Sequence, residues 1–393
     1  MVIKVMAIKA WAVYRQRRSV SVSARGRNAG EHATGHRGVA APIVGRPVAT
    51  VRALALTVVM LAAGLVPAAA GRQITDSAGR SVNVPDRIER VMAAGPPASV
   101  LLYVVCPEKL VGWVRKPREA ELGYLAKTVR NLPEIGRLTG RGDTANLEAV
   151  VNAKPDVIID FGSVTPTYVS LADRIQSQTG IPYLLFDGRF AKTAEVLRLV
   201  GTALGVEARA ETLAHDAAES LAEVDRVTAS VPPAQRPHVY LARGPSGLET
   251  GTRGSINTEI IERAGGINVV DLGGEQGRLT TVSLEQVLAW NPDTIVSIDP
   301  AFVDQARKAP GWADTAAVHR NRIYVSPSLP YGWIDSPPSL NRLIGLKWLA
   351  RLFFPDRFSK TLRETTREFY ARYYQVDLTD AQLSELLTPS GGP

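Results

Sequence analysis

Cysteine and histidine are nearly missing from this chain. Cys106 is the only thiol among 393 residues, which rules out an intrachain disulfide and a thiolate cluster holding zinc or iron–sulfur. Set in the run VLLYVVCP, it reads as a buried small hydrophobe. Beyond residue 70 only His215, His238 and His319 remain, and His215 falls on a long polar helix. A site for bare Zn²⁺ or Mn²⁺, with three histidines and a carboxylate, is therefore disfavoured. Also missing are G-x-S-x-G, a P-loop and a dinucleotide fingerprint. The first strand–helix turn reads Ala93-Ala94-Gly95-Pro96-Pro97, where two prolines remove N–H groups that a phosphate would need. Asp160, Asp187, Asp299 and Asp335 end expected strands, but no histidine accompanies them in a motif. With no acid–base pair visible, an α/β enzyme is the weaker reading.

Positive charge is missing too, once it is located. The formal charge is +8, but residues 1–70 hold ten of the 46 Lys/Arg and one of the 38 Asp/Glu, leaving 36 against 37 beyond them. The basic character belongs to the leader, and nucleic-acid binding loses its main support. Long apolar runs are scarce: Ala53–Val66 has 14 residues, too few to span a membrane comfortably. Arg52 precedes it, and Pro67 and Ala68-Ala69-Ala70 follow, which predicts a cleaved secretory signal peptide over 53–70. Val48 or Val51 suits the first codon better than Met1, an extended leader being the alternative. With no cysteine directly after the apolar run, the mature protein is expected to be free in a periplasm rather than lipid-anchored. Arg141-Gly142-Asp143 reads as an ordinary loop tripeptide.

What the chain does have is a repeat. LEAVVNAKPDVIIDF at Leu147–Phe161 returns as LEQVLAWNPDTIVSI at Leu284–Ile298, ungapped, with six of fifteen positions identical. Apolar residues at i, i+3 and i+4 predict a short helix, and the proline stops it. The β-branched run after the aspartate predicts a strand buried on both faces. Glu148 and Glu285 occupy matching places in the first helical turn, where their charge suits the helix dipole. Two copies imply two similar lobes.

Around the copies the chain alternates strand and helix. Ile74–Arg90 is an expected hairpin about Ala78-Gly79. Val91–Ala94, Leu110–Val114 and Pro182–Phe186 are expected strands of a first lobe over 71–190. Residues 191–231 connect the lobes, with Glu207–Ser230 running 24 residues free of Pro and Gly. Its single stripe, Leu213, Ala217, Leu221 and Val224, and a length of roughly 36 Å make it a strut between halves. The second lobe, 232–393, opens on strand His238–Ala242, carries an apolar helix Leu340–Phe354, and closes on an amphipathic tail Lys360–Tyr374. The expected fold class is α/β: two Rossmann-like lobes with central parallel sheets joined by one long backbone α-helix.

With DSAGRSVNVP at 76–85, LVGW at 110–113, NLEAVVNAKPDVII at 146–159, GGINVV at 265–270 and SLEQVLAWNPDTIV at 283–296, the chain resembles the periplasmic ABC-transporter substrate-binding proteins for ferric siderophores, haem and vitamin B12. The resemblance covers 72–375. It implies a monomer that captures an iron–siderophore or similar metal chelate between its lobes, with no resident cofactor. Delivery to a permease dimer with its ATPase is implied as well. Corrinoid, haem and oxyanions such as molybdate are the alternative ligands. Glu148 and Glu285 match the glutamates that such proteins present to permease arginines. A cleft at the strand C-terminal ends would draw on Pro97, Arg115, Ser163 and Asp187–Arg189 from the first lobe. From the second it would draw on Arg243, Gly251–Ser255 with Arg253, Tyr331 and Trp333. Trp333 sits where B12-binding relatives place a ligand-contacting tryptophan. Aromatic stacking and arginine forks suit a broad anionic ligand.

Overall fold

The computed structural model describes residues 71–140, 147–274 and 277–388. The leader, its signal peptide and Arg141-Gly142-Asp143 lie outside the described residues. Gly71–Thr75 (β1) and Ser81–Pro85 (β2) form an antiparallel hairpin. Gly79 turns it at φ +76°, a left-handed backbone that glycine takes without cost.

The first lobe is built on Val91–Ala93 (β3), Val157–Gly162 (β4) and Tyr183–Asp187 (β5), parallel and in the order β3-β4-β5. Their continuous burial matches their apolar sequences: helices cover both faces, so no alternation is needed. Leu110–Val114 does not join this sheet as expected. It makes only isolated bridges, Val91 to Leu110 and Trp113 to Glu134, because its partners lie at the sheet's edge and in a loop. The second lobe holds His238–Ala242 (β6), Ile267–Asn268 (β8), Thr294–Ser297 (β10) and Ile323–Val325 (β11), parallel in the order β11-β10-β6-β8. Glu249–Gly251 (β7) pairs antiparallel with Leu279–Thr281 (β9) beside it.

The long helix spans Glu207–Ala229, 23 residues or roughly 34 Å. Leu213, Ala217, Leu221 and Val224 are all buried. It lies against helix Thr193–Leu204, where a Cβ on Gly201 would come within 2.4 Å of Ala210 Cβ, so the close approach requires glycine. This helix does not simply hold two halves apart. One apolar core runs from Val100 and Leu184 in the first lobe through Leu213 and Leu346 to Val239 and Leu241 in the second. The tail then returns to the first lobe and the long helix. Tyr103 Oη donates to the Tyr374 carbonyl at 2.5 Å, Tyr124 Oη to Glu385 at 2.6 Å, and Tyr373 Oη to Asp216 at 3.0 Å. Cys106 is fully buried, and that burial pushes its thiol up to about 12.

A candidate ligand cleft between the lobes

Parallel strands deliver their C-terminal ends and the following loops to one side of each sheet, and here those ends face a cavity of about 1240 Å³. Pro96-Pro97, after β3, and Ser163, after β4, line the first-lobe wall. Arg243, one residue past β6, and the Pro327–Pro338 loop line the other.

The two walls hold their charged groups differently. On the first, Glu121 is 2% exposed and accepts from Arg115 Nη2 through both oxygens at 3.0 Å and from Arg118 Nε at 2.8 Å. Two guanidiniums, 55% and 69% exposed, thus share one buried carboxylate at the cavity wall. On the second, a single guanidinium is shared by two acids. Arg243 pairs with Glu249, and its Nε stands 2.7 Å from Asp335 Oδ2. Asp335, 0% exposed, also accepts from Asn257 Nδ2 at 2.9 Å. Arg115, Arg118 and Arg137 thus line the cavity together with Glu121, Glu134 and Asp160 on the first lobe, and Arg243 with Asp335 on the second. On the floor, Asp160 accepts from Tyr183 Oη and Phe161 N at 2.9 Å each and from Thr139 Oγ1 at 3.4 Å. Burial nevertheless holds its carboxyl above the usual range against those bonds. Tyr331 lines the cavity with its ring among Tyr103 and Tyr374, 6.3 and 5.8 Å away. Its hydroxyl finds no hydrogen-bond partner among the described residues.

Residues 105–329 match the periplasmic binding protein family. The chain belongs to that family. It is 27% identical to the molybdate-binding protein MolA of Haemophilus influenzae over 337 residues, 79% of this chain and 92% of that one. A solute-binding protein of an ABC transporter from Sulfurospirillum deleyianum shares 29% identity and superposes with a TM-score of 0.73, covering 81% of this chain and 99% of the other. The molybdate-bound structure of MolA superposes with a TM-score of 0.64 at 21% identity over 78% and 99% of the two chains. An uncharacterised ABC-transporter substrate-binding lipoprotein, YvrC of Bacillus subtilis, is 23% identical over 73% of this chain and 87% of its own. The fold is thus the two-lobe α/β plan of these solute-binding proteins.

Of the residues expected at the ligand cleft of this binding protein, Pro97, Arg115, Ser163, Arg243 and Tyr331 come together around the one cavity. Three expectations are corrected. Trp333 is 0% exposed; its Nε1 donates to Tyr370 Oη at 3.2 Å, and it packs in the core rather than on the cleft. A large apolar ring with one N–H is held most firmly where that donor is satisfied, and the tail supplies the acceptor. Arg253 turns away: its Nε donates to the Asn268 carbonyl at 3.1 Å, and Nη1 lies 3.6 Å from Asp271. The Asp187–Arg189 segment is likewise outside the wall, Arg189 being paired with Asp187 at 2.5 Å. Residues that pattern reading passed over include Arg118, Glu121, Arg137 and Tyr168. Only Asp160 and Asp335 carried a signal, as aspartates at expected strand ends.

Glu148 and Glu285 are both exposed, each the second residue of a seven-residue helix. A hydrogen bond with Ser283 holds the Glu285 carboxyl below its usual range. Among the described residues no helix is long and apolar enough to cross a membrane, and no group of three or more His, Cys, Asp or Glu is placed to hold a metal ion.

Proposed function

We propose that this protein captures an iron–siderophore or a similar anionic metal chelate in its cleft and delivers it, without turnover, to an ABC permease dimer with its ATPase. The observation that carries the reading is the cleft itself. At about 1240 Å³ it exceeds the roughly 300–1,000 Å³ typical of drug-sized ligands. Its lining also mixes arginine donors with carboxylate acceptors. A bare oxyanion offers acceptors only, whereas a chelate with amide, hydroxyl and carboxylate groups can satisfy both. The Pro-Pro pairs 96–97 and 337–338 at the cavity also withdraw backbone N–H groups on which a small oxyanion would rely.

Likeness to MolA favours a second reading, molybdate as ligand. Trp113 lines the cavity with Nε1 bonded to the Val129 carbonyl at 2.9 Å, so its fluorescence is the reporter. Titration with ferric siderophores is expected to give saturable quenching that molybdate does not displace. Quenching by molybdate alone transfers the proposal to the oxyanion.

Docking rests on the repeat. Exposed ion pairs add little affinity in water, but two at a fixed separation set orientation. Glu148→Ala combined with Glu285→Ala is expected to abolish uptake while leaving ligand affinity unchanged; uptake at the wild-type rate removes the docking role. The same reading places the mature protein in the periplasm as a monomer.

A further inference from the structure

We propose that Arg342 is a positioning residue that fixes the gap between the two cleft walls, so that ligand meets a preset width rather than closing jaws. The claim concerns the cleft and holds for either ligand class.

Arg342 opens the helix Arg342–Phe353 and is 1% exposed, one of the largest fully buried side chains. Its fork reaches both lobes at once. Nη1 donates to the Ile256 carbonyl at 2.6 Å and to Glu259 Oε1 at 2.8 Å, both in the second lobe. Nη2 donates to the Gly188 carbonyl at 2.7 Å, in the first. The guanidinium also lies 4.3 Å from the centre of the Phe190 ring of the first lobe. Glu259 completes the tie by accepting from Phe190 N at 3.2 Å.

A planar guanidinium presents its donors in fixed directions, so acceptors on two lobes are set at a fixed relative position by one rigid group. Separating the lobes would remove the Gly188 acceptor and pull Phe190 off the cation together. Two further contacts act at the same seam. Ser339 Oγ, three residues earlier, donates to the Pro97 carbonyl at 2.8 Å. Gly188 meets the second lobe so closely that a Cβ there would stand 3.0 Å from Ile256 Cδ1. Pro97 and Ile256 line the cavity, so the tie is continuous with both walls.

The test is an inter-lobe distance. Spin labels at Ser177→Cys and Gln305→Cys, both exposed and one on each lobe, are measured by double electron–electron resonance; Cys106 is buried and stays unlabelled. The wild-type background is expected to give one narrow distribution. Arg342→Met, folded by circular dichroism, is expected to lose it. Arg342→Lys should lose it as well, since one ammonium cannot span the same acceptors, and it is the variant read if the methionine form does not fold. Glu259→Gln retains the Oε1 acceptor and should keep the narrow distribution. A folded Arg342 variant with the wild-type distribution overturns the proposal. So does a wild-type background that already samples two separations.

Discussion

In the first lobe Leu147–Ala153 leads through Lys154 into β4; in the second Leu284–Trp290 leads through Asn291 into β10. The copies agree in detail. Each helix is left through a residue at positive φ, +46° for Lys154 and +41° for Asn291. Each aspartate returns to the strand before it, Asp156 N donating to the Arg90 carbonyl at 2.8 Å and Asp293 N to the His238 carbonyl at 3.0 Å. They part at the strand's far end. Where β4 carries the buried Asp160, β10 carries Ser297, whose hydroxyl donates to the Asp299 carbonyl at 3.2 Å. What the copies share builds the scaffold, and the repeat residues that reach the cleft, Asp160, Phe161 and Ile298, are ones the copies do not share. Ligand specificity is therefore sought in the unshared residues.

Three experiments sharpen or break that comparison. The largest effect is expected at the aspartate tether. Asp156 Oδ2 accepts two backbone N–H groups, from Glu89 at 2.7 Å and Arg90 at 2.8 Å, whereas Asp293 Oδ2 accepts one, from His238 at 3.0 Å, its Oδ1 accepting only from the adjoining Thr294 hydroxyl at 2.9 Å and lying 3.7 Å from Arg322. Asp156→Ala is expected to lower stability in urea by about 3 kcal/mol and Asp293→Ala by about 1.5 kcal/mol. Equal losses would mean that the tethers are not what separates the halves.

The second concerns Asp160. Its folded carboxyl, raised by burial, keeps its proton at pH values where the unfolded one, near ~3.9, has lost it. Its contribution to stability is thus present below the unfolded value and is lost as pH rises through the folded one. Asp160→Asn is expected to flatten that fall in urea midpoints taken upward from roughly pH 4, while Ser297→Ala leaves the slope alone. Parallel curves for wild type and Asp160→Asn would remove the asymmetry. The smallest effect lies at the helix exits. Lysine tolerates a left-handed backbone less well than asparagine, so Lys154→Gly is expected to add roughly 0.5–1 kcal/mol, read as a higher Tm. Asn291 already suits that backbone and its Oδ1 accepts from Ala316 N at 2.9 Å, so Asn291→Gly should lose stability, and a gain of equal size there would contradict the distinction.

Much of this architecture is legible in the sequence because it rests on local period. The stripe Leu213, Ala217, Leu221, Val224 marks the long helix, whose end differs from expectation by one residue. The strand His238–Ala242 agrees at both ends. The repeat locates both inner strands, and strand ends in turn place Arg243 on the cleft. What stayed hidden depends on distant partners. Trp333 sits among apolar residues that suit either a cleft or a core, and its acceptor, Tyr370, lies 37 positions on. Arg118 and Glu121 lie in a polar stretch without period, where only folding brings a second arginine to one buried acid. Arg342 looks like any helix-opening cation until Gly188, 154 residues earlier, arrives beside it.

The π-helical turn Tyr370–Tyr374 has a consequence for biosynthesis. Tyr103 leans on Tyr374, with ring centres 5.9 Å apart, so a first-lobe surface made early is roofed by residues made late. A chain that emerges N-terminus first, from a ribosome or a translocation pore, cannot shut that surface until the tail has followed, so compaction waits for nearly the whole chain.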